Sequence, residues 1–247
     1  MKKILIPLPN NDFDTTEVAV PWKLFSQKKY EITFATENGN RAYCDPKLLT
    51  GVIFGQLGAE KEALQFYKEL EQNENFLHPI KYSNIIVEQY DLLVLPGGHS
   101  QGMKQYLESK ILQEKVLQFF QLNKLVGSIC HGCIVLARTI NPLTGKSIVH
   151  HKKLTGLTKF LERIAYYITF WKLGKYYRTY PAYIQDEVKQ NLVDVKNFKT
   201  GGNQFKPYVC VDENLVTARW PKDVYLFAET LMVKLEEKKI NHNHAFK

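Results

Sequence analysis

The stretch VGSICHGC at residues 126–133 holds two cysteines, Cys130 and Cys133, separated by a histidine and a glycine. A thiol in this pattern can be a catalytic nucleophile, one half of a dithiol redox pair, or a buried side chain without chemistry. The apolar run KLVGSI ends immediately before Cys130, and a helical pattern, HGCIVLARTI, follows it. The sulfur is therefore predicted to lie at the carboxyl edge of a parallel sheet, near a helix N-terminus that favours the thiolate form.

A second stretch, PGGHS, can supply the hydrogen-bond donors that a nucleophile needs. Gly97 and Gly98 end another apolar strand candidate, DLLVLPGG. Because the carboxyl ends of parallel strands meet at one sheet edge, the backbone N–H of Gly98 can face the sulfur together with that of His131. Two such donors can hold the oxyanion that forms when a thiolate adds to a carbonyl group.

The elements that must position these residues alternate between strand and helix patterns. Apolar runs of strand length (KILIPLP, YEITFATE, DLLVLPGG, KLVGSI) are each followed by a helical pattern, such as TTEVAVPWKLFSQ or SKILQEKVLQFFQLN. This alternation is typical of βαβ crossovers. The sequence therefore predicts an α/β fold, an open and mostly parallel sheet flanked by helices on both faces, as in a flavodoxin-like sandwich.

Composition and charge limit the class of protein. The 247 residues are 45% hydrophobic and 23% charged, as in soluble globular proteins, and the N-terminal MKKILIPLPN is expected to be a first strand rather than a signal peptide. No apolar run has membrane-spanning length, and four cysteines are too few for a disulfide scaffold, so a cytoplasmic protein without membrane contact is expected. The net charge of +8 comes from scattered lysines, and nucleic-acid binding is not expected.

The later third of the chain is less regular than the rest. Residues 159–207 begin with a helical pattern that continues to about Leu173 and are rich in aromatic and basic side chains, as expected for a lid or an interface segment. NLVTARW follows as a last strand, and PKDVYLFAETLMVKLEEKK as a last helix. We expect a single domain over residues 1–240 and a frayed tail at 241–247.

Three stretches in combination resemble a known family. LLVLPGGHS, GSICHG, and TTEVAVP with an acid four residues before its proline look like the DJ/ThiJ/PfpI superfamily of class I glutamine amidotransferase-like proteins. KLTGLT and NLVTARWPKD continue the resemblance, which runs from Lys3 to about Leu235. It implies the class I glutamine amidotransferase-like sandwich and a homodimer, with no cofactor and no metal.

The resemblance also implies roles for individual residues. Cys130 matches the nucleophilic, oxidation-prone cysteine, Glu17 the acid that hydrogen-bonds to its sulfur, and Gly98, next to Gly97, the oxyanion glycine. His131 matches the adjacent histidine that acts as base. Glu162, in LTKFLER, is the candidate for the third triad member.

Members of this superfamily differ in activity, and the sequence leaves three functions open. The main interpretation is an intracellular protease- or amidase-like cysteine hydrolase acting on a small-molecule or peptide carbonyl substrate. The first alternative is a glyoxalase III-like conversion of 2-oxoaldehydes. The second is a non-catalytic sensor or chaperone of the stress response, in which Cys130 only senses oxidation.

Several of these residues also have simpler interpretations. Glu17 can complete a capping box with Asp14, and Cys133 can be an ordinary core residue or half of a redox pair. His150 and His151 lie next to each other on a probable strand, and with His99 they show no metal-ligand spacing. These histidines are therefore expected to be structural or exposed.

Overall fold

The computed structural model describes residues 1–51 and 58–244. Strands in this part of the chain are β1 (Lys3–Pro7), β2 (Asn11–Phe13), β3 (Glu31–Thr36), β4 (Tyr43–Cys44), β5 (Ile80–Lys81), β6 (Leu92–Leu95), β7 (Leu125–Ile129), β8 (Ile140–Asn141), β9 (Lys146–Ser147), β10 (Val209–Asp212) and β11 (Leu215–Ala218). Helices are α1 (Thr15–Gln27), α2 (Pro46–Thr50), α3 (Lys61–Leu70), α4 (Glu74–Leu77), α5 (Lys104–Glu108), α6 (Lys110–Gln121), α7 (Gly132–Arg138), α8 (Lys159–Leu173), α9 (Ile184–Gln190) and α10 (Val224–His244).

Seven strands form one sheet in the order β10-β11-β7-β6-β1-β3-β5. Neighbouring strands are parallel except β10 and β11, which pair antiparallel at one edge. The central strands β1, β6 and β7 are almost wholly buried apolar runs, because helices cover both of their faces. This confirms the predicted α/β fold with a mostly parallel sheet.

Consecutive residues of β7 show which helices lie on which face of the sheet. A Cβ atom on Gly127 would lie 2.7 Å from Leu231 and 2.9 Å from Phe227, so α10 packs closely over this glycine. The next residue, Ser128, points to the opposite face and donates a hydrogen bond to Cys133 of α7 at 3.4 Å. Helices α1 and α10 pack together on the first face, and α5, α6 and α7 on the second.

The predicted helix boundaries agree with the structure where caps or glycines fix them. Helix α1 covers the predicted TTEVAVPWKLFSQ and is capped by Asp14, and α8 ends at Leu173, before Gly174. The last helix, α10, continues through position 244 and so includes part of the predicted tail at 241–247; residues 245–247 lie outside the described part.

Within the described residues, none of the helices has the length and apolar character needed to cross a membrane.

Candidate active site

Cys130 is the turn residue between β7 and α7, at the carboxyl edge of the sheet as predicted. Its φ of 57° lies in the left-handed region, which costs a non-glycine residue about 1–2 kcal/mol. Its N–H donates to the Ala218 carbonyl at the end of β11, which fixes the turn against the sheet. The strained turn therefore holds the sulfur between the strand ends and the first turn of α7.

The surroundings of Cys130 oppose the thiolate form that the helix N-terminus favours. The Cys130 side chain is completely buried, and this burial raises the pKa of the thiol well above its ordinary value. Any negative charge on the nearby carboxyl groups of Glu17 and Asp14 raises the pKa further. The backbone N–H of His131, at the N-terminus of α7, acts against this shift and lowers the pKa. A base must remove the proton of the thiol form when the sulfur reacts.

Glu17 lies on α1 with its carboxyl group beside Cys130. Its Oε2 accepts the Gly97 N–H at 2.8 Å, and its Oε1 has no hydrogen-bond partner among the described residues. Burial, followed by repulsion from Asp14, raises the pKa of Glu17 well above its ordinary value. The carboxyl group is therefore protonated at neutral pH and can donate to the sulfur.

The capping alternative for Glu17 is wrong in part. Asp14 does cap α1, because its side chain accepts the N–H groups of Thr16 and Glu17 at 2.8 and 3.1 Å. The reciprocal bond is missing, since the Asp14 N–H donates to the Gly97 carbonyl instead. The Glu17 side chain is thus free to turn toward the sulfur.

The two glycines of PGGHS occupy different positions. A Cβ atom on Gly97 would lie 2.8 Å from the Cys130 Cβ and 2.9 Å from Glu17 Oε2, so Gly97 packs directly against the site. A Cβ atom on Gly98 would instead lie 2.3 Å from the Asp12 carbonyl oxygen. The Gly97 N–H is already bonded to Glu17, so Gly98 stays the predicted oxyanion donor.

His131 is the N-cap residue of α7, and its side chain is only 1% exposed. Its Nδ1 lies 3.5 Å from Cys130 Sγ, and its Nε2 lies 3.3 Å from Thr179 Oγ1. Burial, followed by the neighbouring His99 and Arg178, lowers the pKa of His131 well below its ordinary value. The ring is therefore neutral, so one nitrogen has a free lone pair that can accept a proton.

His99, which sequence analysis assigned to structural or surface roles, lies in this site. Its ring centroid is 4.9 Å from that of His131 and 5.8 Å from that of Tyr177. Burial lowers the pKa of His99 to about 4, so this ring is also neutral. Its position directly after PGG, at the carboxyl edge of the sheet, is the sequence signal that could have identified it.

Three of these side chains could together bind a metal ion, although none was expected from the sequence. One donor atom each from His99, Cys130 and His131 lies within 4.8 Å of the others. Two imidazoles and a thiol are a donor set suited to zinc or copper(I). His150 and His151 are not part of this cluster, since they lie in a turn after β9, with ring centroids 4.7 Å apart, and not on a strand.

Glu162 does not contact His131 in the structure. Its Oε1 accepts from Arg178 at 2.8 Å, and its Oε2 accepts the Ile184 N–H at 3.0 Å, so both oxygens already have partners. Burial raises the pKa of Glu162 to about 7, against the opposing effects of the Ile184 N–H and Arg178. The position in the triad expected for Glu162 is occupied by Thr179, for which the sequence shows no recognisable pattern.

Cys133 lies in the core rather than at the reacting centre. Its thiol donates to the Thr155 carbonyl at 3.0 Å and accepts from Ser128 at 3.4 Å. Burial raises the pKa of Cys133 to about 12, which makes it a poor partner for thiol exchange. These contacts favour the core interpretation over the redox pair.

A cavity of about 390 Å³ adjoins the site on the side of His99. It lies between α1, α3, α8 and the start of α10, and most of its wall is apolar. Polar groups face it near the site: Asp14, Asp45, His99 and Tyr177. Helix α8, the first part of the predicted lid, forms one wall of this cavity through Leu161, Ile164, Ala165 and Ile168.

Comparisons with known proteins give consistent results. A family model described as "ThiJ/PfpI family-like" matches residues 8–210. Glyoxalase 3 of Candida albicans is 24% identical over 228 residues, which cover 89% of this chain and 88% of that protein. The glutathione-independent glyoxalase hsp3102 of Schizosaccharomyces pombe is 25% identical over 158 residues, which cover 61% of each. The chain spans only 62% of another S. pombe relative, an uncharacterized protein.

Solved structures extend the similarity to the whole fold. The crystal structure of glyoxalase III from Candida albicans superposes with a TM-score of 0.69 at 22% identity, covering 94% of this chain and 96% of that one. At this identity the superposition shows a common fold.

Proposed function

The chain belongs to the ThiJ/PfpI-like family, and from this membership we propose that it is a glutathione-independent glyoxalase that converts small 2-oxoaldehydes to 2-hydroxy acids. The contact between Cys130 Sγ and His131 Nδ1 carries the proposal, because the reaction needs a nucleophile and a base at one point. The names of the glyoxalase relatives favour this alternative over the hydrolase that the sequence analysis preferred.

The burial of the site supports a small substrate over a peptide. Cys130 is completely buried and His131 is 1% exposed. A peptide would need an open cleft that accommodates chain on both sides of the scissile bond. A three-carbon aldehyde needs only a small space beside the sulfur, such as the end of the cavity next to His99.

The first step forms a carbon–sulfur bond. The Cys130 thiol gives its proton to His131 Nδ1 while the sulfur adds to the aldehyde carbon, and the proton returns to the aldehyde oxygen to form a hemithioacetal. The N–H groups of Gly98 and His131 are the predicted donors to the developing oxyanion. When it is protonated, Glu17 can donate from Oε1, which has no other partner among the described residues, to the sulfur and limit the charge that builds up in this buried space.

The second step moves a proton between adjacent carbons. His131 takes the proton from the former aldehyde carbon, which gives an enediol, and returns it to the neighbouring carbon, which gives a 2-hydroxy thioester. Water then hydrolyses the thioester and releases the 2-hydroxy acid and the Cys130 thiol. One oxoaldehyde and one water are consumed for each acid formed, and no external oxidant or reductant is needed.

The test is lactate formation from methylglyoxal without glutathione, followed by proton NMR. We expect turnover by the wild type and a loss of roughly a thousandfold or more in Cys130→Ser. Cys210→Ser is the matched control, because Cys210 is a buried thiol on β10 outside the site. Equal lactate formation by Cys130→Ser and wild type would contradict the proposal. Peptide or amide hydrolysis without lactate formation would favour the hydrolase.

A further inference from the structure

The segment at residues 174–183, which we call the strap, connects α8 to α9 across the site. Thr179 is its innermost residue and is only 2% exposed. Its hydroxyl lies between two histidines, with Oγ1 2.6 Å from the His99 carbonyl oxygen and 3.3 Å from His131 Nε2. Thr179 itself is not among the residues that line the cavity.

The hydrogen-bond donors and acceptors in these two contacts can be assigned by elimination. A carbonyl oxygen only accepts, so the single hydroxyl proton of Thr179 must lie on the short bond to His99. The oxygen then has only lone pairs left for its other neighbour. Its contact with His131 Nε2 is a hydrogen bond only if Nε2 carries the hydrogen.

A neutral imidazole carries one N–H, so a proton on Nε2 leaves Nδ1 as the acceptor. We propose that Thr179 is the positioning residue of this site: it fixes His131 in the tautomer whose Nδ1 lone pair faces the Cys130 thiol. It thereby occupies the place that sequence analysis assigned to Glu162. The inference rests on the proposed function only for its effect on turnover, since the tautomer can be measured without a substrate.

A hydroxyl in this place has a different effect from a carboxylate. A carboxylate would stabilise the imidazolium, whereas the Thr179 oxygen orients the ring without a compensating charge. Burial, His99 and Arg178 all lower the pKa of His131, in agreement with a ring that is neutral between proton transfers. The imidazolium form of His131 then exists only while the ring transfers a proton between the sulfur, oxygen and carbon atoms of the reaction.

The titratable and charged groups around His131 come from several elements. Cys130 adjoins it in the chain, His99 faces it from the end of β6, and Arg178 approaches from the strap. None of these groups accepts a proton from Nε2, because the atom in contact with Nε2 is Thr179 Oγ1. The Thr179 hydroxyl is therefore the group whose removal should change the tautomer.

The experiment compares wild type, Thr179→Ser and Thr179→Val by long-range proton–nitrogen NMR of histidine-labelled protein, with His131→Gln to assign the signal. We expect the Nε2–H tautomer in wild type and Thr179→Ser, and a mixed or Nδ1–H population in Thr179→Val. We expect kcat for methylglyoxal to fall about 10- to 100-fold in Thr179→Val with KM little changed, and serine to restore it. A purely structural role would not move the tautomer signal.

Two outcomes would overturn the inference. One is an Nδ1–H tautomer in the wild type, which can be read even if the valine variant does not fold. The other is a folded Thr179→Val with the wild-type tautomer. If the tautomers behave as expected but no variant makes lactate, the proposed reaction fails while the assignment of Thr179 stands.

Discussion

Glu17 is a carboxyl group placed where a charge is costly. Its side chain is completely buried beside the Cys130 thiol, and Asp14 lies close by at the N-cap of the same helix. The folded protein therefore holds Glu17 protonated at pH values at which the unfolded chain has lost that proton. In its protonated form this carboxyl group could donate to the Cys130 sulfur, as the proposed function requires.

This burial predicts a pH-dependent gain in stability for Glu17→Gln. In the wild type the unfolding free energy falls as pH rises above the ordinary carboxyl pKa, by up to about 1.4 kcal/mol per pH unit, until the raised pKa is reached. Glutamine keeps the oxygen for the Gly97 N–H and a donor for the sulfur, and it does not ionise. We expect the two proteins to be similar at pH 4 and the variant to be more stable at pH 8.

Urea unfolding at pH 4, 6 and 8 measures this difference. Glu114→Gln, an exposed position on α6, is the control and should follow the wild type at every pH. A stability difference for Glu17→Gln that does not change with pH would show that Glu17 ionises normally in the folded protein.

At the scale of single residues, the sequence predicts a site residue when a reactive side chain stands at the end of a recognisable strand or at a position of the family pattern. Cys130 and His131 could be placed because a buried strand ends just before them, and Glu17 because its distance from Pro21 resembles the family pattern. Thr179 could not be placed, because it reaches the site through an irregular strap whose course depends on tertiary contacts. The helix N-terminus favours a thiolate at Cys130 and burial opposes it by raising the pKa of the thiol, so the protonation state of Cys130 stays a prediction.

The strap is held by one largely buried ion pair. Arg178 donates to Glu162 on α8 at 2.8 Å and to the Pro181 carbonyl at 2.5 Å, and it stacks on Tyr183 with its guanidinium 4.1 Å from the ring centroid. Because Thr179 follows Arg178 in the chain, these contacts also hold Thr179 in position. Glu162 thus acts on the position of the strap rather than on His131 directly.

Breaking this pair should loosen the strap without unfolding the sheet. In Arg178→Gln we expect backbone hydrogen exchange at residues 174–183 to accelerate roughly tenfold or more, because a buried carboxyl group loses its charged partner. Exchange in β1, β6 and β7 should not change. The measurement is hydrogen exchange read by mass spectrometry.

A second ion pair, which joins α8 to α9 beyond the strap, provides the control. Lys159 of α8 pairs with Asp186 of α9 at 2.6 Å, and both side chains are about 40% exposed, so this pair is expected to contribute little. Lys159→Gln should leave exchange in the strap unchanged. Equal effects of the two substitutions would show that the strap does not depend on the buried pair.

At the scale of elements, the sequence predicts what is regular. Strands β1, β3, β6, β7 and β11 and helices α1, α6 and α8 were identified from apolar runs and helical periodicity. The two-residue strand β5 and the antiparallel edge strand β10 were missed, because their pairing depends on the strand beside them. The lid or interface role predicted for residues 159–207 stays a prediction, supported by α8 and the strap.

Arg219 joins distant parts of the chain near the edge of the sheet. It is completely buried at the end of β11, and it donates to both carboxylate oxygens of Asp223, just before α10. Its remaining N–H groups donate to the carbonyl oxygens of Thr200, Asn203 and Lys206. One side chain therefore connects the sheet, the loop before β10 and the last helix.

Removing this side chain should destabilise the whole molecule. We expect Arg219→Met to lose about 3–5 kcal/mol of unfolding free energy, because it leaves the buried Asp223 carboxylate without its charged partner and the loop carbonyls without their donors. Arg163→Met, an exposed position on α8, should change it by about 0.5 kcal/mol or less. The measurement is the urea unfolding midpoint of each variant, and an unchanged midpoint for Arg219→Met would contradict this account.

At the scale of the whole molecule, composition and alternation were enough to predict the fold class and its two helical layers. They could not supply the strand order, since β6 and β7 lie beside β1 only through crossovers whose register depends on packing. The predicted homodimer and cytoplasmic location stay predictions, because they concern surroundings that the single chain does not contain.

The hydroxyl of Thr179 has one more consequence, which concerns the order of events. Cys130 is completely buried, so a substrate can reach it only when part of its cover moves, and the strap lies directly over His131. If the strap lifts, it takes the Thr179 oxygen with it, and the ring is then free to change its tautomer. If substrate enters in this way, its admission and the activation of the base cannot occur at the same time. An aldehyde that enters by this route would then be attacked only after the strap has returned.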